Sequence, residues 1–279
     1  MLALSLRRNY TKYIMEAKKG TYTYEYPRPA VTTDCVIFGY DLKEGLSVLL
    51  VKRGIEPFKD RWAFPGGFLQ MDETSDVCAM RELQEETGLA IYTAECSDED
   101  YEDEFMLEAD TISDAKVVTS RKSAFFEQIG CFSDVDRDPR GRVISIAYYA
   151  LVEKGKVEGG DDARIASWFP IDSVPSLAFD HEKILRAALR RLKERMHFKP
   201  IGFDLLPEVF TLPQLQALYE SILEVHFDRR NFSSKMLKLG ILDEVGDRPA
   251  NAGSRIPVNY RFNKSKYEEM KSKGFRLEF

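Results

Sequence analysis

At 279 residues and 32.1 kDa the chain has material for a sizeable core and, at roughly 150 residues per domain, for two units. Its composition, 44% hydrophobic and 31% charged, comes with no apolar run near the ~18 residues of a membrane span, which excludes a membrane protein of helical type. A net charge of -6 and a pI of about 5.4 exclude a uniformly basic nucleic-acid coat.

The charge is uneven. From residue 198 onward 13 Lys and Arg stand against 11 Asp and Glu, which leaves 27 against 35 before it, so only the C-terminal part suits a polyanion such as DNA. The chain opens with Leu2, Leu4 and Leu6 ahead of Arg7 and Arg8, the reverse of a secretory signal, and a cytoplasmic protein is expected. Cys35, Cys78, Cys96 and Cys131 are scattered without a CxxC pair, so they read as reduced thiols rather than a zinc site or disulfide framework.

In chain order, the β-branched and apolar runs at 31–39 and 46–52, split by a turn ending in Gly45, predict a β-hairpin. Pro65-Gly66-Gly67 then punctuates the backbone before a helix from Ser75 to Thr87, with Thr74 as N-cap and Gly88 in the left-handed position that ends it. The acidic stretch 95–122 reads as a solvated insertion. Strands are expected at 125–132, 143–152 and 166–169. From Asp180 to Met196, Ile184, Leu185, Ala188, Leu189 and Leu192 recur at helical spacing. Beyond Pro200 the pattern becomes helix 211–223, helix 228–239 capped by Asp228 and stopped by Gly240, then a strand pair closing at 255–262, the outline of a winged helix.

The chemistry lies in GFLQMDETSDVCAMRELQEETGL, which spaces Gly67, Glu73, Arg81-Glu82, Leu83, Glu85-Glu86, Gly88 and Leu89 along one loop and helix. Glu82 stands i,i+3 from Glu85 and i,i+4 from Glu86, so three carboxylates crowd toward one side and repel unless neutralised. A hard divalent cation is the natural neutraliser: Mg²⁺, or Mn²⁺ in its place, takes carboxylate oxygen and completes its shell with phosphate. Gly67, Glu82, Glu85 and Glu86 are the expected metal ligands, Gly67 through its carbonyl. Arg81 is expected to pair with Glu73 and orient the helix. Two carboxylates, Glu85 and Glu127, stand as general-base candidates, and the spacing does not choose between them.

These are the fixed positions of the Nudix box, and the resemblance runs over nearly the whole chain. PRPAVTTDCVIF, LLVKRGIEPFKDRWAFPGGF, EQIGCFSDVDRDPRGRVISIAYYALV, SLAFDHEKIL, FTLPQLQALYE and DRRNFSSKMLKLGIL resemble the Nudix subgroup of ADP-ribose pyrophosphatases and Nudix-related transcriptional regulators. The resemblance implies an α/β fold, a Nudix α/β/α sandwich on a mixed sheet with a smaller winged-helix domain after it. The expected division is an N-terminal extension 1–27, a Nudix domain 28–197 and a winged-helix-like domain 198–279. It also implies a homodimer that splits ADP-ribose into AMP and ribose 5-phosphate.

Arg140 and Arg142, spaced i,i+2, would point one way on an extended segment and hold phosphate or ribose oxygens, with Arg53 as a further anion contact. Phe179 and His181 are expected to line the nucleotide pocket, and Trp62 and Trp168 to be core. Two other functions fit the same residues. A regulator that takes a sugar nucleotide as effector would read DNA with Arg229, Arg230, Lys235 and Lys238 on the second helix and with Arg248, Arg255 and Arg261 around the wing. A hydrolase of oxidised nucleoside triphosphates would share the box but release pyrophosphate.

Overall fold

The structure, a computed structural model, describes residues 25–92, 122–123, 125–155, 157, 163–246 and 258–274. The acidic insertion lies outside the described residues except for Lys122, as do Arg248 and Arg255.

The hairpin is present as β1 (Ala30–Asp41) antiparallel to β2 (Gly45–Arg53). β3 (Trp62–Ala63) follows on β2, while β1 pairs in parallel with β7 (Val143–Glu153), which pairs antiparallel with β6 (Phe125–Phe132). β8 (Ala163–Pro170) also pairs with β2, and the sheet runs β3-β2-β1-β7-β6, mixed in direction. A short parallel pair, β4 (Ile91–Tyr92) and β5 (Lys122–Ser123), stands apart.

Residues alternate between the faces of a strand, so the unbroken apolar run of β1 requires cover on both sides. Cys35 and Ile37 pack with Leu49, Tyr148, Ala79 and Leu83 on one face, the last two from α1 (Ser75–Thr87). Val36 and Phe38 pack with Leu50, Tyr149, Ile184, Ala188 and Leu192 on the other, the last three from α2 (His181–Phe198). This is the expected α/β/α sandwich. Trp62 meets Phe169 edge to face at 4.7 Å, and Trp168 packs with the opposite cluster and donates from its indole N–H to the Gly155 carbonyl at 2.9 Å.

A 3₁₀ turn at Ile201–Leu205 leads into the C-terminal part. There α3 (Leu212–Leu223) starts on a reciprocal Thr211–Gln214 capping box, and α4 (Arg229–Lys238) starts on Asp228, whose carboxylate accepts from Asn231 N–H at 2.9 Å. Gly240, at φ 70°, ends α4 in the left-handed region. The wing is a three-stranded sheet of β9 (Phe210–Thr211), β11 (Asn259–Phe262) and β10 (Leu242–Val245) in the order β10-β11-β9. Leu215, Leu218, Tyr219 and Ile222 of α3 join the cluster beneath α2, so the two parts share one continuous core. A final helix, α5 (Lys264–Ser272), has no counterpart in the sequence reading. Only Tyr267 and Met270 give it an apolar side, too little for periodicity to register, and they pack onto the core from outside.

Candidate functional site

After β3 the chain lies against β1 as a third strand would. Cys35 N–H donates to the Pro65 carbonyl at 2.9 Å, Thr33 N–H to Gly67 at 2.9 Å, and Leu69 N–H to Val31 at 3.0 Å. Two glycines are needed at this approach. A Cβ on Gly66 would stand 2.1 Å from the Thr33 carbonyl oxygen, and one on Gly67 would stand 2.1 Å from Glu82 Oε1. The Gly67 carbonyl thus has a backbone partner already.

Helix α1 then starts on Thr74, whose hydroxyl accepts from Val77 N–H, and stops at Gly88, at φ 69°. It buries Cys78, Ala79, Leu83 and Thr87 and puts Glu82, Glu85 and Glu86 on the lining of a cavity. Arg81 gathers the carboxylates near it. Its Nε and Nη2 hold Glu73 at 2.9 and 2.8 Å, and its Nη1 donates to Glu82 at 2.8 Å and Glu85 at 2.9 Å. That arginine keeps Glu73 below the usual carboxylate range although burial opposes it. Glu82 is pushed up by burial, with Glu85 and Glu73 adding to the effect. Glu86 accepts from Gly66 N–H at 3.0 Å, yet burial and then Glu82 and Asp34 push its carboxyl up to about 8.

Two carboxyls that resist ionisation, with only oxygen donors beside them, fit a hard divalent cation, whose charge would reverse those shifts. Among the described residues no three acidic or histidine side chains converge on one point, because Arg81 holds Glu82 and Glu85.

The acidic side faces a cavity of about 500 Å³. It is also lined by Arg53, Phe179, Arg140 and Phe68. Two guanidinium groups lie over the Phe179 ring, Arg53 at 4.9 Å and Arg140 at 5.5 Å from its centre, and Arg140 also lies over Phe68 at 4.9 Å. Phe179 sits at φ 51°, a strained position for a non-glycine residue. His181 lines the cavity too, but both its nitrogens are engaged. Nδ1 accepts Phe64 N–H at 3.0 Å, so the ring proton is on Nε2, which stands 3.3 Å from Asp34 Oδ1.

Four residues of this site were not singled out in the sequence: Asp34, Arg137, Asp138 and Phe68. Asp34 accepts from the Ser145 hydroxyl and lies 3.5 Å from Arg137 Nη2. Burial raises its carboxyl, but His181, Ser145 and Arg137 together hold it at about 2. A lone acid inside the apolar run VTTDCVIF is the signal that could have found it. Asp138 clasps Arg140 at 2.7 Å.

Two expected residues are elsewhere. Arg142 does not share the direction of Arg140, because residues 135–142 form turns rather than an extended segment. Its Nη1 donates to the Ser133 and Asp134 carbonyls at 2.9 and 3.3 Å, away from the cavity. Glu127 is on β6 and faces α2, where Arg195 Nε holds it at 3.0 Å, so it does not reach the cavity as a base would have to.

In the C-terminal part, Arg229, Arg230, Lys235 and Lys238 are all exposed on α4, which buries Phe232 and Met236 beneath them. Arg261 on β11 pairs with Glu208 at 3.1 Å. Among the described residues no helix is long and apolar enough to cross a membrane. Cys35, Cys78 and Cys131 are unbridged.

A mixed sheet between two helices, with a carboxylate helix on a glycine loop, defines a Nudix fold, here joined to a winged helix. The family comparison agrees: residues 28–192 match the NUDIX domain and residues 202–262 match the NrtR DNA-binding winged helix domain. The chain belongs to the Nudix family. It is similar, at 29% identity over 95% of its length and 94% of the relative's, to the ADPR responsive transcriptional repressor NtrR of Acinetobacter baylyi. It is 34% identical to the ADP-ribose pyrophosphatase of Methanocaldococcus jannaschii, over 66% of this chain and 86% of that one. Of solved structures, a MutT/nudix family protein from Enterococcus faecalis matches with TM-score 0.64 at 26% identity, over 92% of this chain and 93% of that one. Shewanella oneidensis NrtR complexed with a 27mer DNA matches with TM-score 0.62 at 25% identity, over 88% and 97%.

Proposed function

We propose that this chain is a DNA-binding transcriptional regulator whose Nudix cavity takes ADP-ribose as its effector. The observation that carries the reading is the coexistence, in one chain with one continuous core, of the nucleotide-sized cavity and a winged helix presenting four cations on α4. The likeness to an ADPR responsive repressor from end to end supports it. Arg229, Arg230, Lys235 and Lys238 are the DNA contacts, Arg53, Arg140, Phe179 and His181 the ligand wall, and the division falls at residues 28–197 and 198–279. A homodimer, working in the cytoplasm, would present two such helices to a two-fold site. A gel-shift titration on the DNA upstream of its own gene, with and without ADP-ribose, tests this. A salt-sensitive complex whose affinity changes with ADP-ribose is expected, and no complex at low salt rejects it.

The intact acidic set favours a second, compatible reading, Mg²⁺-dependent cleavage of ADP-ribose to AMP and ribose 5-phosphate. Glu82, Glu85 and Glu86 would hold Mg²⁺ or Mn²⁺, with Arg81 keeping Glu73 and so the loop in place. Such an ion supplies charge for the diphosphate and a more acidic water. Glu85, 43% exposed beside the other two, is the base this reading retains. AMP release that needs Mg²⁺ and disappears in Glu86→Gln is expected; undiminished release by that variant rejects the ligand assignment. Pyrophosphate release from nucleoside triphosphates would instead mark the chain as a triphosphate-sanitising enzyme.

A further inference from the structure

We propose that Arg137 is a specificity-determining residue of the cavity and that it reads a ribose hydroxyl rather than the diphosphate, an inference that rests on the nucleotide reading above. Arg137 is held almost out of solvent, its side chain 3% exposed, yet it lines the cavity. Its Nε donates to Asp180 at 3.1 Å, and its Nη2 donates to Asp180 at 2.7 Å and lies 3.5 Å from Asp34. Nη1 has no hydrogen-bond partner among the described residues. Nη1 is not sealed from solvent and Arg137 lines the cavity, so this N–H is open there to a ligand oxygen or water.

The local charge decides which oxygen. Asp34 and Asp180 together outweigh the single positive charge of Arg137, and Asp138, paired with Arg140, is a third carboxylate acting on it. A phosphate brought against that set would meet carboxylates already satisfying the arginine. A hydroxyl meets no such repulsion: it accepts from Nη1 and donates to a neighbouring carboxylate, the donor and acceptor pair that a diol requires. Arg53 and Arg140 are left for the diphosphate. Asp180, immediately before α2, fixes the guanidinium through two hydrogen bonds, so the group is oriented before any ligand arrives.

ADP-ribose carries two sugars that qualify, and three probes separate them: ADP-ribose, ADP and 2′,3′-dideoxy-ADP, titrated calorimetrically into the full chain and its Arg137→Lys variant. If the terminal ribose is read, the variant binds ADP-ribose about tenfold more weakly and ADP unchanged. If the adenosine ribose is read, ADP-ribose and ADP both weaken about tenfold and dideoxy-ADP does not. Equal weakening of all three, or of none, overturns the proposal. The native chain gives an independent check that needs no variant, since equal affinity for all three probes overturns it as well. Failure of the native chain to bind ADP-ribose at all is different: it removes the effector reading on which this one rests.

Discussion

His181 accepts the backbone N–H of Phe64 at 3.0 Å, across 117 residues of chain, and so fastens the start of the glycine loop to the start of α2. Its other nitrogen meets Asp34 on β1, making the imidazole a tie between three elements that line the cavity. His181→Phe keeps the ring volume but leaves a buried N–H and a buried carboxylate each short of a partner. A loss of about 2–4 kcal/mol is expected, measured by urea unfolding at neutral pH.

The same tie sets an acid limit. Asp34 has its carboxyl lowered from 3.8 to about 2, so the folded state binds fewer protons there than the unfolded state does between those values. Its contribution, about 2 kcal/mol, is complete above pH 3.8 and is lost as pH falls toward 2. Ser145→Ala and His181→Phe should both move the acid unfolding midpoint to higher pH, followed by circular dichroism. An unchanged midpoint in both would show that Asp34 does not carry this linkage.

Glu86 has the opposite sign. With its carboxyl raised from 4.5 to about 8, the folded state holds a proton that the unfolded state has released, so the chain without metal loses stability as pH rises from 4.5 to 8. Glu86→Gln should therefore stabilise the metal-free protein at pH 9, on the order of 5 kcal/mol, and hardly alter it at pH 4. Added Mg²⁺ should stabilise the native protein at pH 8 and not the variant, which melting curves would reveal.

The adjacent glycines should answer differently to alanine. At Gly66 the added Cβ meets the Thr33 carbonyl, main chain that cannot step aside, and a loss of about 2–4 kcal/mol is expected. At Gly67 it meets the end of the Glu82 side chain, which can turn away. Gly67→Ala should keep its melting temperature within a few degrees and lose the Mg²⁺-induced stabilisation instead.

On α4, Arg230→Ala and Lys235→Ala alter exposed side chains, so melting should not change, while the slope of log affinity for DNA against log salt should fall by about one for each. Phe232→Ala, beneath them, should cost about 3–5 kcal/mol of stability. Slopes identical to that of the unaltered protein would remove α4 from the DNA interface.

Much of this site was readable along the chain. The positions of Glu82, Glu85 and Glu86, the pairing of Arg81 with Glu73 just ahead of its helix, the Thr74 and Asp228 caps and the exposed cations of α4 all follow from short-range spacing in or beside a helix. Helical pitch is a property of the backbone itself, so such neighbours need no knowledge of the rest of the fold. The pair Arg140 and Arg142 shows where this stops: their common direction assumed an extended segment, and the Asp138 side chain, accepting from Arg140 N–H at 2.9 Å, helps to bend it into a turn.

Which residues meet from distant elements was decided only on folding. Asp34 faces Ser145 and His181 because β1 lies parallel to β7 and because the chain beyond β8 returns to the start of the glycine loop. Glu127 was lost to Arg195 by the same means, since the strand that carries it turns that side chain toward α2 rather than toward the cavity. Strand order and register bring such groups together, and these depend on how the whole apolar core closes, a cooperative result that no local spacing encodes.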